Sequence, residues 1–234
     1  EGGRLVFATA EELRIEVCDF ALTSCDFEAI TLKEYSKLLA ARYNDSYIFL
    51  SNKEEYITGI NKQEQGEKNQ FNLGVKVELI SYGGAKVLLD RKKREVEIYQ
   101  NSINDRVLLQ GGSLEGWSVK FVGLKNNLGL LDKQRFNQNL LTGCLTFLDM
   151  QVHDVDIDIN GSLCEDGVNL IRVHGYLNNV VVKNASSDAV DVDSSQLNFK
   201  NIKVSHAGND CIDLSYGSYH IENAQLKDCK DKAI

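Results

Sequence analysis

A four-residue phrase returns every 22 residues towards the C-terminus of this 234-residue chain: Glu165-Asp166-Gly167-Val168, Ser187-Asp188-Ala189-Val190, Asn209-Asp210-Cys211-Ile212 and Asp231-Lys232-Ala233-Ile234. A fixed period of this length makes each repeat one structural unit stacked on its neighbour, because a single unit cannot bury its apolar residues alone. The residues between the phrases align as well. Val168, Val190 and Ile212 form one column and Leu170, Val192 and Leu214 another, with Asn169, Asp191 and Asp213 between them. That is the two-residue alternation of a half-buried strand. Leu177, Phe199 and Ile221, then Val180, Ile202 and Ala224, then Val182, Val204 and Leu226 mark a second apolar strand. Each repeat therefore reads as one coil of a parallel β-helix, an all-β solenoid.

Asn179, Asn201 and Asn223 form a polar column inside the second strand. Stacked identical amides can hydrogen-bond along the axis; Asn also tolerates the left-handed backbone of a tight turn. Both readings are structural. Cys211 shares a column with Gly167, Ala189 and Ala233, and Cys229 one with Ala185 and Ala207, so these two cysteines read as buried small residues. Cys18 and Cys25, with six residues between them in a segment rich in turn formers, allow a disulfide in an exported protein. None of the six cysteines has the paired spacing of a structural zinc site.

Before the repeats the pattern changes. Arg14-Ile15-Glu16-Val17 and Tyr47-Ile48-Phe49-Leu50 read as strands, whereas Thr31-Leu32-Lys33-Glu34 and Ser51-Asn52-Lys53-Glu54 have the form of capping boxes opening helices over Tyr35–Tyr43 and up to Ile60. Asn61 to Gln70 reads as a polar linker. Strand-like runs follow at Val75–Ile80, Ala85–Leu89, Val96–Tyr99 and Trp117–Val122, as irregular early coils. The expected organisation is a small α/β module or cap over residues 1–70 and a β-helix over 71–234. The chain stops inside the fourth phrase, which predicts further coils or a partner domain beyond residue 234.

A net charge of −8 argues against nucleic acid, whose binding is largely phosphate neutralisation by Lys and Arg. A hydrophobic content of 43% without a long apolar run argues against a membrane span. The N-terminus carries no signal peptide pattern. Proline is absent; it would remove ladder donors from stacked strands, but this does not account for its absence from the loops.

The coils Ser187-Asp188-Ala189-Val190-Asp191-Val192 and Gly208-Asn209-Asp210-Cys211-Ile212-Asp213-Leu214 resemble right-handed parallel β-helix proteins of the pectin-lyase-like superfamily, over roughly residues 105 to 234. Phrases of this kind are also similar to poorly characterised bacterial β-helix repeat domains, some attached to spore-coat-type protein kinases. A more distant resemblance is to the polygalacturonase family of glycoside hydrolases. Asp188 falls on its first catalytic aspartate, Asn209-Asp210-Cys211 on its Asp-Asp-Cys phrase and Asp231-Lys232-Ala233 on its histidine phrase. Asn209 replaces an aspartate of that set and Lys232 the histidine, so the matched acid and base of an inverting hydrolase are incomplete.

The residues point to the same place without the family. Parallel strands lie about 4.8 Å apart, so Asp166, Asp188 and Asp210 should form a row of carboxylates with Lys232 one step further. With Asp191 and Asp213 close by, oxygen ligands at that density suit Ca²⁺; alternatively the aspartates cap turns through backbone N–H groups. Asp188, Asp210 and Lys232 are the candidate catalytic residues, and Arg172, Asn209 and Tyr216 the candidate contacts to substrate, with a salt bridge to Glu165 or Asp193 as the structural use of Arg172. Tyr219 could stack on a sugar face beside Tyr216. The four histidines are scattered, with His206 at a turn-like position shared with Asn184 and Asp228. The expected function is recognition of a polysaccharide or cell-surface glycan outside the cytoplasm, with hydrolysis, elimination or epimerisation of an acidic glycan as its enzymatic form. An adhesin or structural scaffold is the alternative.

Overall fold

The computed structural model describes residues 68–124 and 141–234 in full, together with the backbone of three N-terminal strands. The chain divides into two compact units, residues 1–63 with 138–140, and residues 64–137 with 141–234. In the first, β1 (Gly2–Ala8), β2 (Leu13–Asp19) and β3 (Ser24–Ile30) form an antiparallel meander. β2 contains the expected strand Arg14–Val17, and its register sets Cys18 opposite Cys25. The helices expected after Thr31 and Ser51, the strand Tyr47–Leu50 and residues 61–67 lie outside the described residues.

The second unit is a parallel β-helix of about five turns, and no helix occurs among its described residues. It opens with β4 (Lys68–Leu73), β5 (Val77–Tyr82), β6 (Lys86–Asp90) and β7 (Glu95–Tyr99). Lys68–Gln70 thus belongs to a strand rather than to a linker: Phe71 and Leu73 pack on the core at its end. The next coil comprises β8 (Arg106–Gln110), β9 (Ser113–Glu115) and β10 (Ser118–Val122). The later coils run through β11 (Gly143–Ser162), β12 (Asp166–Ala185), β13 (Asp188–Asp193) with β14 (Gln196–Ala207), and β15 (Ile212–Ser215) with β16 (Ser218–Cys229).

Every coil contributes three short strands to three parallel faces. The first face stacks Val107, Leu145, Val168, Val190 and Ile212; the second Ser113, Gln151, His174, Gln196 and Ser218; the third Val119, Ile157, Val180, Ile202 and Ala224. The step is 22 or 23 residues except from Val107, Ser113 and Val119 to Leu145, Gln151 and Ile157, where it is 38 on every face because residues 125–140 intervene. At the opposite end the parallel columns are terminated by antiparallel pairing: β5 on β8, with β4 on β5, and β6 on β7. These hairpins cover the edge of the first coil directly, through ladder hydrogen bonds.

Alternation decides what goes inside. Val168, Leu170, Val190 and Val192 have no exposed surface, and Phe147, Leu177 and Phe199 fill the centre of successive coils. The corners repeat as strictly as the strands. Asp149, Arg172, Ser194 and Tyr216 all have φ between 47° and 51°, and Asn184, His206 and Asp228 between 57° and 62°. An isolated non-glycine residue resists this left-handed conformation by about 1–2 kcal/mol; here the ladders on either side of each corner impose it. His206 therefore sits at the turn expected of it, within 3.3 Å of Asp228.

The asparagine column is a true amide ladder. Asn223 Nδ2 donates to Asn201 Oδ1 at 3.4 Å, Asn201 Nδ2 to Asn179 Oδ1 at 3.1 Å, and Asn179 Nδ2 to Asp156 Oδ1 at 2.7 Å. A carboxylate, which only accepts, is the natural terminus for a chain of donors. The two cysteines read as small buried residues are instead joined: Cys211 bonds Cys229, and Cys144 bonds Cys164. Gly167 and Ala185, Ala189 and Ala207, and Cys211 and Cys229 are each separated by 18 residues. The small-residue columns thus mark the two ends of one coil, and in the last coil they come within a Cα–Cα distance of 5.3 Å, inside the range a disulfide spans.

Asn201→Ala is expected to lower stability by about 1 kcal/mol, by breaking two rungs of the ladder, and replacing Cys211 and Cys229 together by Ala by about 3 kcal/mol through loss of a closed loop. Denaturant unfolding followed by circular dichroism checks both, and an unchanged midpoint in either variant contradicts the role assigned to that column.

Candidate functional site

The aspartates of the repeated phrase do come together at the start of the first face, where Asp166 is paired in register with Asp188. Asp166, Asp188 and Asp210 are 2%, 9% and 6% exposed. Asp188 Oδ1 accepts the backbone N–H of Asp210 at 2.9 Å and Asn209 Nδ2 at 2.8 Å. Asp210 Oδ1 in turn accepts the backbone N–H of Lys232 at 2.8 Å, while Lys232 Nζ lies 3.3 Å from Asp210 Oδ2. Asp188 and Asp210 therefore each cap the turn one coil further on, whereas the backbone N–H of Asp188 goes to the Glu165 carbonyl and not to Asp166. Of the two readings open at the level of sequence, the capping one describes these hydrogen bonds. Asn209, a candidate substrate contact, is a partner of Asp188 within the cap.

Next to the caps lies a buried polar knot. Asn169 Nδ2 reaches Thr142 Oγ1 at 2.9 Å, Asp191 Oδ2 at 3.0 Å and Asp166 Oδ2 at 3.2 Å, while Asn169 Oδ1 and Thr146 Oγ1 are buried without a partner among the described residues. Asp191 pairs in register with Asn169 on one side and Asp213 on the other. Burial pushes Asp191 up to about 8, aided by the charges of Asp166, Asp193, Asp213 and Asp188. Burial pushes Asp166 up to about 7, against hydrogen bonds from Thr142 and Asn169. Asp193 is raised by burial and by Asp213. Beneath them Arg106, 2% exposed, donates through Nη1 to the carbonyls of Ile103 at 2.7 Å and Asp105 at 3.0 Å. Burial lowers its pKa to about 10, and Asp166 and Asp105 oppose the shift.

The row thus resolves its own repulsion by uptake of protons and by backbone N–H groups. A carboxylic acid held neutral beside ionised neighbours has the form of a general acid. Of the five aspartates expected to ligate Ca²⁺, Asp188 and Asp210 are occupied as caps, and no cluster of three or more His, Cys, Asp or Glu among the described residues is arranged to hold a metal ion.

The remaining candidates lie apart from this knot. Arg172 forms a two-pronged ion pair with Asp149, Nε to Oδ1 at 2.5 Å and Nη2 to Oδ2 at 2.8 Å, rather than with Glu165 or Asp193, because residues 149 and 172 occupy the same corner in successive coils. Tyr216 stands at that corner too, 88% exposed. Tyr219 is not a free sugar platform: its hydroxyl donates to the Ser215 carbonyl at 2.9 Å, across the corner. Ser195, fully buried, accepts from Val173 N at 2.9 Å and bonds the carbonyl of Asp193 at 2.8 Å, a structural use.

Two features escape the repeat-phrase reading. On the second face, Gln151, His174, Gln196 and Ser218 form one exposed row, and His153, Tyr176, Asn198 and His220 the adjoining row two residues along. The four-cation run Arg91-Lys92-Lys93-Arg94 occupies the β6–β7 turn. Alignment of the coils would have exposed the first; the second is legible as a charge run in an acidic chain. No helix among the described residues is long and apolar enough to cross a membrane. Comparison with protein-family models, with curated proteins and with solved structures finds no match to this chain.

The raised carboxyl groups fix a pH dependence. Folded Asp166 and Asp191 hold protons that an unfolded aspartate, with a pKa near 3.9, releases. Between about pH 4 and 8 the folded state therefore binds more protons, and stability falls as pH rises through this window. Thermal midpoints are expected to decline from pH 5 to pH 8.5, and Asp191→Asn to flatten the decline. An identical slope in the variant would show that Asp191 is ionised throughout.

Proposed function

We propose that this β-helix is a glycan-recognition module acting outside the cytoplasm, with the second face of the solenoid as its binding surface. The observation that carries the reading is the pair of in-register rows on that face, exposed except at the half-buried Tyr176: Gln151, His174, Gln196 and Ser218 beside His153, Tyr176, Asn198 and His220. Amides, imidazoles and hydroxyls both donate and accept, as sugar hydroxyls require, and Tyr176 offers a ring to a pyranose face. Strand spacing of about 4.8 Å repeats these groups along a straight line suited to an extended chain. The ladders hold them rigid, so little side-chain and loop ordering is required on binding. Two disulfides support an oxidising compartment.

The raised pKa of Asp191 favours a second reading, in which the first face acts on the glycan with Asp191 as acid. Calorimetry with neutral and acidic oligosaccharides separates the two. Gln196→Ala with Asn198→Ala is expected to weaken binding about tenfold, equivalent to ~1.4 kcal/mol, at an unchanged thermal midpoint. Asp188→Ala is expected to lower stability by about 1–3 kcal/mol, through an unpaired buried N–H, without altering the affinity of the folded protein. Binding indifferent to the double variant overturns the reading, and reducing ends released by wild type but not by Asp191→Asn would establish the catalytic one.

A further inference from the structure

The chain carries eight more negative than positive charges, yet one end of the solenoid is basic. Two hollows of about 500 and 720 Å³ meet there and share Val75, Lys76 and Ser113. The first is bordered by Arg91 and Arg94, the second by Arg172 and His174. Together they present four permanent cations, Lys76, Arg91, Arg94 and Arg172, against two carboxylates, Glu115 and Asp149. Asp149 is held by Arg172. Lys76, Arg91 and Arg94 have no carboxylate partner within 4.0 Å among the described residues.

The two arginines are also aimed. Arg91 Nη2 donates to the carbonyl of Asn72 at 3.2 Å, and Arg94 Nη1 to that of Glu115 at 3.1 Å. One N–H of each guanidinium is thereby fixed while the others remain for a ligand, the fork geometry that matches carboxylate and sulfate oxygens. The floor is set by backbone: Val75 and Ser113 exchange two hydrogen bonds of 2.9 Å. This approach requires glycine at two positions. A Cβ on Gly74 (φ 47°) would meet Ser113 O at 2.5 Å, and one on Gly112 (φ 60°) would meet Val75 O at 2.1 Å.

We propose that this cleft binds the carboxylate or sulfate groups of an acidic glycan whose remaining sugars lie along the second face. Ser113, Gln151 and His174 belong to both the cleft and that face, so the two surfaces are continuous. The inference rests on the glycan reading above and gives it a charge class: the first face, with its aspartates, repels such a ligand, while the cleft attracts it. A nucleic acid fits less well. Single strands bind through stacking on exposed aromatic rings; among the described residues lining the cleft the large aromatic ring, Trp117, is 5% exposed, which leaves the His174 imidazole as the exposed ring.

Calorimetry with a sulfated, a uronate-containing and a neutral hexasaccharide, and with a single-stranded oligonucleotide, at low and high salt, tests the proposal on the full chain. One or both charged sugars are expected to bind about tenfold more tightly than the neutral one, and the stronger of the two identifies the anion. Arg91→Glu with Arg94→Glu, or Lys76→Glu alone, should abolish the difference and its salt dependence while leaving the neutral sugar and the thermal midpoint unchanged. Charged and neutral sugars binding equally overturn the cleft but not the face. Charge selectivity that survives Gln196→Ala with Asn198→Ala at full affinity overturns the face but not the cleft. An oligonucleotide binding more tightly than either charged sugar, and losing this with Lys76→Glu, overturns the glycan assignment of the cleft.

Discussion

Everything in the solenoid depends on in-register parallel pairing between coils. Once Val168, Val190 and Ile212 are neighbours in one column, every other residue of the coil has a fixed neighbour above and below. A one-residue slip would turn the interior out, so the apolar columns hold the register and the polar columns profit from it. The amide ladder from Asn223 to Asp156, the left-handed corners and the aspartate caps are three consequences of one constraint.

Repetition also has a drawback, since a charged residue repeated at strand spacing faces its own kind. The chain meets this in three ways. Asp188 and Asp210 turn to backbone N–H groups of the next coil; Asp166 and Asp191 retain protons; Lys232 supplies a counter-charge at the end of the row. The same repetition on the second face is harmless, because stacked amides, imidazoles and hydroxyls can bond to one another or to a ligand. Neutral polar residues can thus be repeated as a recognition surface where carboxylates become structure. The cations are collected where the repeat breaks down, on the hairpin turn of β6 and β7. There a run of like charge has no stacked copy to repel it.

How much of this was legible in the sequence differs by feature. The coil, its apolar columns and the asparagine ladder follow from the 22-residue period, because stacked equivalents must be neighbours. The strands β5, β6, β7 and β10 were readable as alternating runs, but their antiparallel pairing was not, since alternation does not encode direction. Cys211 and Cys229 were placed in the right columns and given the wrong chemistry. Alignment shows which residues lie above one another, and it is silent on which columns meet across the seam of a coil. The aspartate row and its use as turn caps were both readable; which N–H each carboxylate takes was not, because that depends on which way the side chain turns.

The sequence by itself determined the period, the faces and the inward and outward sides of each strand, since these depend only on spacing along the chain. The tertiary structure alone decided the ion pair of Arg172 with Asp149, the orphaned amide oxygen of Asn169 inside the acidic knot, and the meeting of Lys76, Arg91 and Arg94 at one cleft. Asp149 and Arg172 share a corner column, so their pairing and the isolation of the Asn169 oxygen turn on the direction of a side chain, which spacing leaves open. The separation of Lys76 from Arg91 and Arg94 follows no repeat, and their meeting is set by the path of the backbone between columns.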